Sequence, residues 1–169
     1  MGKRMLQLLS LTALLSLGQG LAQGSLFSLR GFGGLGVGFG TVNAELEWQD
    51  PLVRVYPRGS VAYVAGVGGT AGGNLAAFAV HGGAAIYLGD SRDGWFSAAR
   101  VGGGVVADTT TRVGTFFGTA TLSGGYRLVQ GPFELGLEGG LYLASVDLDS
   151  TRSAVLLSPV VLLSAGIRF

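Results

Sequence analysis

The sequence predicts an all-β fold, an eight-stranded antiparallel up-and-down transmembrane β-barrel. Three observations lead there. First, 48% of the 169 residues are apolar and only 12% are charged, while glycine reaches 32. Soluble domains carry roughly a quarter charged residues, and a disordered chain would be more polar still. Yet no apolar run attains the about 20 residues that a membrane helix needs. Second, the apolar residues recur with period two in short pieces, as in a strand whose two faces meet different surroundings. Third, the charges stay off the apolar parity. Cysteine is absent, which excludes disulfides and thiolate metal sites, and a net charge of +1 offers no basic surface for nucleic acid.

Residues 1–22 read as a signal peptide. Lys3 and Arg4 precede an apolar run from Met5 to Leu17, and small residues close it at Gly20-Leu21-Ala22. That order matches an export signal, and the run is short for a span of about 20 residues. With cleavage after Ala22, residues 23–169 form the barrel. They hold nine arginines, no lysine and ten acids, a net charge of −1.

The elements then follow in order. Leu26–Val37 puts Phe27, Leu29, Leu35 and Val37 opposite Ser28, Arg30 and Gly34. Phe39–Gln49 puts Val42, Ala44, Leu46 and Trp48 opposite Asn43, Glu45 and Glu47. Asp50-Pro51 is a turn signal. Leu52–Gly68 sets Val61, Tyr63, Ala65 and Val67 against Arg54, Tyr56, Arg58 and Ser60, and Gly69–Gly73 connects onward. Asn74–Leu88 sets Phe78, Val80, Ala84 and Ile86 against His81, Gly83 and Tyr87. Trp95–Ala107 sets Trp95, Ala99, Val101 and Val105 against Arg100, Gly102 and Gly104, and Asp108–Thr111 forms a loop. Arg112–Val129 sets Ala120, Leu122, Tyr126 and Leu128 against Thr119, Thr121, Ser123 and Arg127. Gln130-Gly131-Pro132 turns into Phe133–Val146, where Leu135, Leu137, Leu141 and Leu143 oppose Glu134, Glu138 and Tyr142. After Asp147–Arg152, the last segment sets Val161, Leu163, Ala165, Ile167 and Phe169 against Ser164, Gly166 and Arg168. These are eight segments, and a spanning strand of about 9–11 residues fits the length well. Ten strands stay open because the glycines between 26 and 49 blur the boundaries.

The charges test a parity chosen on apolar residues alone. Arg30, Glu45, Glu47, Arg54, Arg58, Arg100, Arg127, Glu134, Glu138 and Arg168 all fall on the opposite face, and every aspartate falls in a connection. An arginine on the lipid face would cost about 2–4 kcal/mol at mid-membrane. The expectation is a lumen filled by an ion-pair network, since unpaired buried charge is prohibitive and an eight-stranded interior is just wide enough for side chains. With both termini on one side, Phe27, Trp48, Trp95, Tyr126, Phe133 and Phe169 face outward at one rim, as an interfacial aromatic girdle would. Phe39, Tyr63 and Phe116 are candidates for the other rim.

The final residues, Ser164-Ala165-Gly166-Ile167-Arg168-Phe169, carry a polar residue, a glycine, a hydrophobic residue and a terminal aromatic. Together with the signal peptide and the eight segments, this pattern resembles small outer-membrane β-barrel proteins of diderm bacteria, of the OmpA-barrel or OmpX type. The resemblance covers the whole mature chain. It implies that Ser164, Gly166, Ile167 and Phe169 serve as an assembly signal read by the barrel-assembly machinery, with outer-membrane lipid as the surroundings and a monomer as the product. The connections here are shorter than the outer loops of the adhesin-like members.

Chemistry is sparse. Gly31-Phe32-Gly33-Gly34-Leu35-Gly36 matches G-x-G-x-x-G, but a dinucleotide site needs a helix after it, and more alternation follows. His81 is the single histidine. Some small barrels modify lipid A with a histidine and a serine, a serine needing such a base. At mid-strand on the lumen face, His81 reads instead as a hydrogen-bonding group. Glu134 and Glu138 would lie about 13 Å apart along a strand, too far for the about 5 Å of a retaining glycosidase pair. No catalytic residue, cofactor or metal site is assigned. The expected function is a structural, non-enzymatic outer-membrane barrel serving envelope integrity or surface contacts. The alternatives are a lipid A-modifying enzyme, a small pore and a secreted lipocalin-like barrel.

Overall fold

Eight strands follow one another around a closed barrel in a computed structural model that describes residues 27–54, 59–89, 93–111, 113–149 and 152–169, without the side chains of 50–54, 147–149 and 152. They are β1 (Phe27–Gly36), β2 (Phe39–Arg54), β3 (Ser60–Gly72), β4 (Leu75–Tyr87), β5 (Gly94–Asp108), β6 (Gly114–Gln130), β7 (Phe133–Asp149) and β8 (Arg152–Arg168). Each pairs antiparallel with its neighbours, and β8 returns to β1, so no open sheet edge remains. Ten strands are excluded: Leu26–Gln49 holds only β1 and β2. The signal peptide and Arg58 lie outside the described residues, as does the side chain of Arg54.

Three connections are two-residue turns, each with a glycine at positive φ: Val37-Gly38 (φ 82°), Gly73-Asn74 (φ 56°) and Gly131-Pro132 (φ 61°). A side chain is strained in that region, and twist-matched hairpins need it. Several boundaries differ from the sequence expectation. Asp108, Asp147 and Asp149, expected in connections, lie at the ends of β5 and β7, and Arg152 opens β8. Gly69–Gly72 belongs to β3, so that connection is shorter than predicted. Asp50-Pro51 does not turn the chain; β2 runs through it to Arg54, and the β2–β3 ladder shifts register between Asp50 and Arg54. Proline lacks the N–H that a regular ladder uses and is tolerated at such an irregularity.

The predicted parity holds in all eight strands. Leu29, Val101, Leu122, Leu137 and Leu163 stand on the outside, while Arg30, Arg100, Ser123, Glu138 and Leu162 point inward. No outward-facing strand residue whose side chain is described carries a charge. The first and last described residues meet at one rim, where the Phe169 N–H donates to the Phe27 carbonyl at 3.1 Å. That end is called the terminal rim below and the opposite opening the far mouth.

Candidate functional site: the barrel interior

Working from the terminal rim upward, the interior has three layers. The first is ionic. Arg30, from β1, donates to Glu47 at 2.5 Å and reaches Glu45 at 3.4 Å. Arg100, from β5, spans the lumen: its Nε donates to Glu45 at 2.5 Å and its Nη1 to Glu138 at 2.5 Å. Ser123 adds its hydroxyl to the Glu138 carboxylate. Arg127 donates to Glu47 at 3.0 Å and contacts the Tyr87 hydroxyl, which itself donates to Glu47 at 2.9 and 2.8 Å. Glu134 is held more loosely, 3.5 Å from Arg168 and 3.9 Å from Arg127, and neither of its oxygens accepts a hydrogen bond. Of the ten residues expected in the network, the eight with described side chains are all inside, four arginines against four glutamates.

Aromatic rings complete that layer, and sequence reasoning did not place them all. Phe32 lies inside with the guanidinium groups of Arg30 and Arg100 over its ring at 5.2 and 5.6 Å. Arg127 sits 4.9 Å from the ring centres of both Tyr87 and Phe96. A guanidinium is weakly hydrated and flat, so an aromatic face can replace water on one side while carboxylates bond its edge. Phe32 shares the parity of Arg30, and that shared parity was the available signal.

The middle layer is uncharged and mixed, with polar side chains set among Phe32, Ala79, Val160 and Leu162. Thr41, Asn43, Thr70, Thr119 and Thr121 line a cavity of about 60 Å³ whose floor is Glu45, His81 and Arg100. The His81 Nε2 bonds the Glu45 carboxylate at 2.8 Å, and since the carboxylate can only accept, Nε2 carries the proton. Glycines make the room for this ring. A Cβ built on Gly66 would come within 2.7 Å of His81 Nε2 and 2.8 Å of Glu45 Cγ. Among the described residues no serine lines the cavity.

The third layer corrects the expectation of a lumen charged throughout. At the far mouth the inward positions are mainly apolar: Phe39, Leu75, Val106, Phe117, Ala144, Val146 and Leu156, with Thr70 and Tyr142, surround a space of about 270 Å³. These residues alternate with outward apolar ones, as in Val105-Val106, Phe116-Phe117 and Val155-Leu156, so both faces are greasy and parity alone cannot assign them.

On the outside, Trp95 packs edge-on to Tyr126 at 5.2 Å and Trp48 lies 5.9 Å from Tyr63. Phe27 pairs directly with Trp48, and Phe133 with Ile167, so Phe27, Trp48, Trp95, Tyr126, Phe133 and Phe169 share the terminal side. Tyr63 joins them rather than the other rim, because β3 starts at this end. Phe39 is also displaced from its expected place: it points inward and stacks on Tyr142 at 5.5 Å. Phe116 is outward and exposed near the far mouth, as expected.

The C-terminal residues lie in β8, the closing strand. Gly166 has a packing reason: a Cβ there would meet Arg30 Cγ at 2.5 Å and the Leu29 carbonyl at 2.7 Å. Ser164 pairs with Phe32 of β1, and Ile167 faces outward. The G-x-G-x-x-G stretch is β1 itself, followed by β2 and no helix. No protein-family model matches the sequence, and no curated protein matches it.

Proposed function

We propose that this chain is a structural, non-enzymatic protein of the bacterial outer membrane. It is built like the small OmpA-barrel and OmpX-type proteins, is exported by a cleaved signal peptide, and serves envelope integrity or surface contacts as a monomer. One observation carries the reading: the barrel is inverted relative to a soluble one. Leu29, Val101, Leu122, Leu137 and Leu163 all lie at least 49% exposed, whereas Arg30, Glu47, Arg127 and Glu134 are at most 2% exposed. In water each exposed leucine would forgo about 1.5–3 kcal/mol of burial, and the ionic interior would still have to be desolvated. In hydrocarbon the first cost reverses sign, and a charge turned outward would cost about 2–4 kcal/mol at mid-membrane, so the paired interior becomes the better place for it. A charge-free outer face bounded by aromatic residues is what such a solvent selects.

The ionic layer plugs the terminal half, which speaks for a scaffold over a pore, and among the described residues no serine lines the cavity beside His81, which speaks against the histidine–serine pair of lipid A chemistry. The test is accessibility in native vesicles. Leu137→Cys should stay unlabelled by a water-soluble maleimide and become labelled after solubilisation and unfolding. Full labelling in intact vesicles would overturn the reading. Large steady conductance from the pure protein in planar bilayers, or altered lipid A in a His81→Ala strain, would overturn its structural, non-catalytic part.

A further inference from the structure

The far mouth lies above the ionic layer, and its chemistry is ordered. Along β4 the inward residues run Leu75, Ala77, Ala79 and His81, from open mouth to cavity floor. Six residues of strand make about 20 Å, or about 15 Å of depth at a tilt of about 40°. Phe39, Thr70, Ala77, Phe117 and Tyr142 line both the cavity and the mouth above it, so the two spaces form one blind cup. Its walls are mainly apolar at the top, and lower down the hydroxyls of Thr119 and Thr121 join the apolar side chains.

The floor constrains what could enter. Glu45 already bonds Arg100 and His81, and the other edge of Arg100 bonds Glu138. A charged head would therefore meet no spare counter-charge among the described side chains, and desolvating it would be costly. Neutral hydrogen-bonding capacity is in supply. Thr41 and Thr70 bond each other at 3.3 Å, while the Thr119 and Thr121 hydroxyls bond nothing among the described residues. A cavity of about 60 Å³ admits a hydroxyl- or amide-sized group and no sugar.

We propose that the far mouth binds an uncharged single-chain amphiphile, its alkyl chain in the apolar collar and its small polar head against the threonines. This assignment rests on the interior alone and is independent of what surrounds the barrel.

A series of straight-chain primary alcohols, from butanol to dodecanol, tests it on the full barrel in lipid nanodiscs. The readout is the methyl resonances of Thr119 and Thr121, with affinity referred to the free aqueous alcohol concentration so that partition into lipid cancels. Affinity should rise about fourfold per methylene, the factor for burying one CH₂, and flatten once the chain outgrows the mouth. Octanoate at pH 8 should bind at least tenfold more weakly than octanol, roughly the loss of one uncompensated charge contact. Ala77→Phe fills the collar without touching an ion pair and should abolish the response. Should that variant fail to fold, Thr121→Val, which keeps the cup open, should weaken octanol about fivefold. Unmoved methyls, an equal response in Ala77→Phe or unchanged affinity in Thr121→Val would overturn the proposal. So would octanoate binding as tightly as octanol. If the barrel proves soluble, the same titration in water tests the cup while the membrane reading alone falls.

Discussion

Replacing Arg100 by methionine should be among the most damaging changes to this barrel. Its guanidinium joins β2 to β7 across the lumen, donating to Glu45 at 2.5 and 3.2 Å and to Glu138 at 2.5 and 3.2 Å, and it is 7% exposed. Without it Glu45 keeps Arg30 and His81, but Glu138 keeps only the Ser123 hydroxyl. Removing one member of a buried pair costs about 3–5 kcal/mol, because the other charge stays buried. That is a shift of about 150- to 5,000-fold in the folding equilibrium. With an m-value near 2 kcal/mol/M the urea midpoint should fall by about 1.5–2.5 M. The assay is urea unfolding in lipid vesicles, followed by Trp48 and Trp95 fluorescence and by the mobility of unboiled protein on gels. Adding Glu138→Met to Arg100→Met should restore about half the loss or more, since the stranded charge goes too and the two sites share one interaction. A single variant within about 1 kcal/mol of the parent, or a double variant no better than the single one, would show that the network contributes little.

Three further outcomes follow from the same geometry. Leu141→Arg, at the outward middle of β7, should cost about 2–4 kcal/mol in the vesicle titration, and a cost under about 1 kcal/mol would mean the outer face is not in hydrocarbon. Gly66→Ala would bring its Cβ within 2.5 Å of the Ala44 carbonyl and 2.7 Å of His81 Nε2, and should cost about 1–3 kcal/mol; Gly33→Ala, with nothing within 4 Å of its added Cβ, should sit near the parent, and the reverse order would refute the steric account. At the exposed β5–β6 turn, the Asp108 carboxylate accepts the Thr110 and Thr111 N–H groups at 2.7 and 2.9 Å, which lowers its pKa from 3.8. The turn is therefore held above that pH and loosens as the pH falls through the depressed value, so exchange of the Thr110 and Thr111 amides should gain protection from Asp108 at pH 5 and lose it in Asp108→Ala.

The outer surface was readable from sequence because one rule covers the whole face. Period-two alternation needs only that rule, and among the described side chains the outer face of the strands holds no charge. The positions of Glu45, Glu138 and Arg100 on the inner face were legible for the same reason. Which partners they choose was not, since that depends on the stagger between residues 15 to 55 positions apart in the chain. The Asp50-Pro51 irregularity was misread because a proline that ends one ladder register looks, locally, like one that ends a strand.

The interior obeys no uniform solvent, and there the alternation fails as a guide. Phe32 and Leu162 are apolar and inward, as are Val160 and Phe117, so a parity assigned on greasiness counts them on the wrong side or passes over them. Their presence has a physical cause. Eight strands leave room for side chains but little for water, so an arginine inside needs a dry surface to lie on as well as a carboxylate to bond. Phe32 beneath Arg30 and Arg100, and Tyr87 with Phe96 beneath Arg127, supply that surface. Above the last ion pair the requirement lapses, and the inward positions become threonine and then leucine, valine and phenylalanine. The charged residues thus mark how deep the plug reaches, and the first inward residues to lose polarity mark where the barrel begins to open.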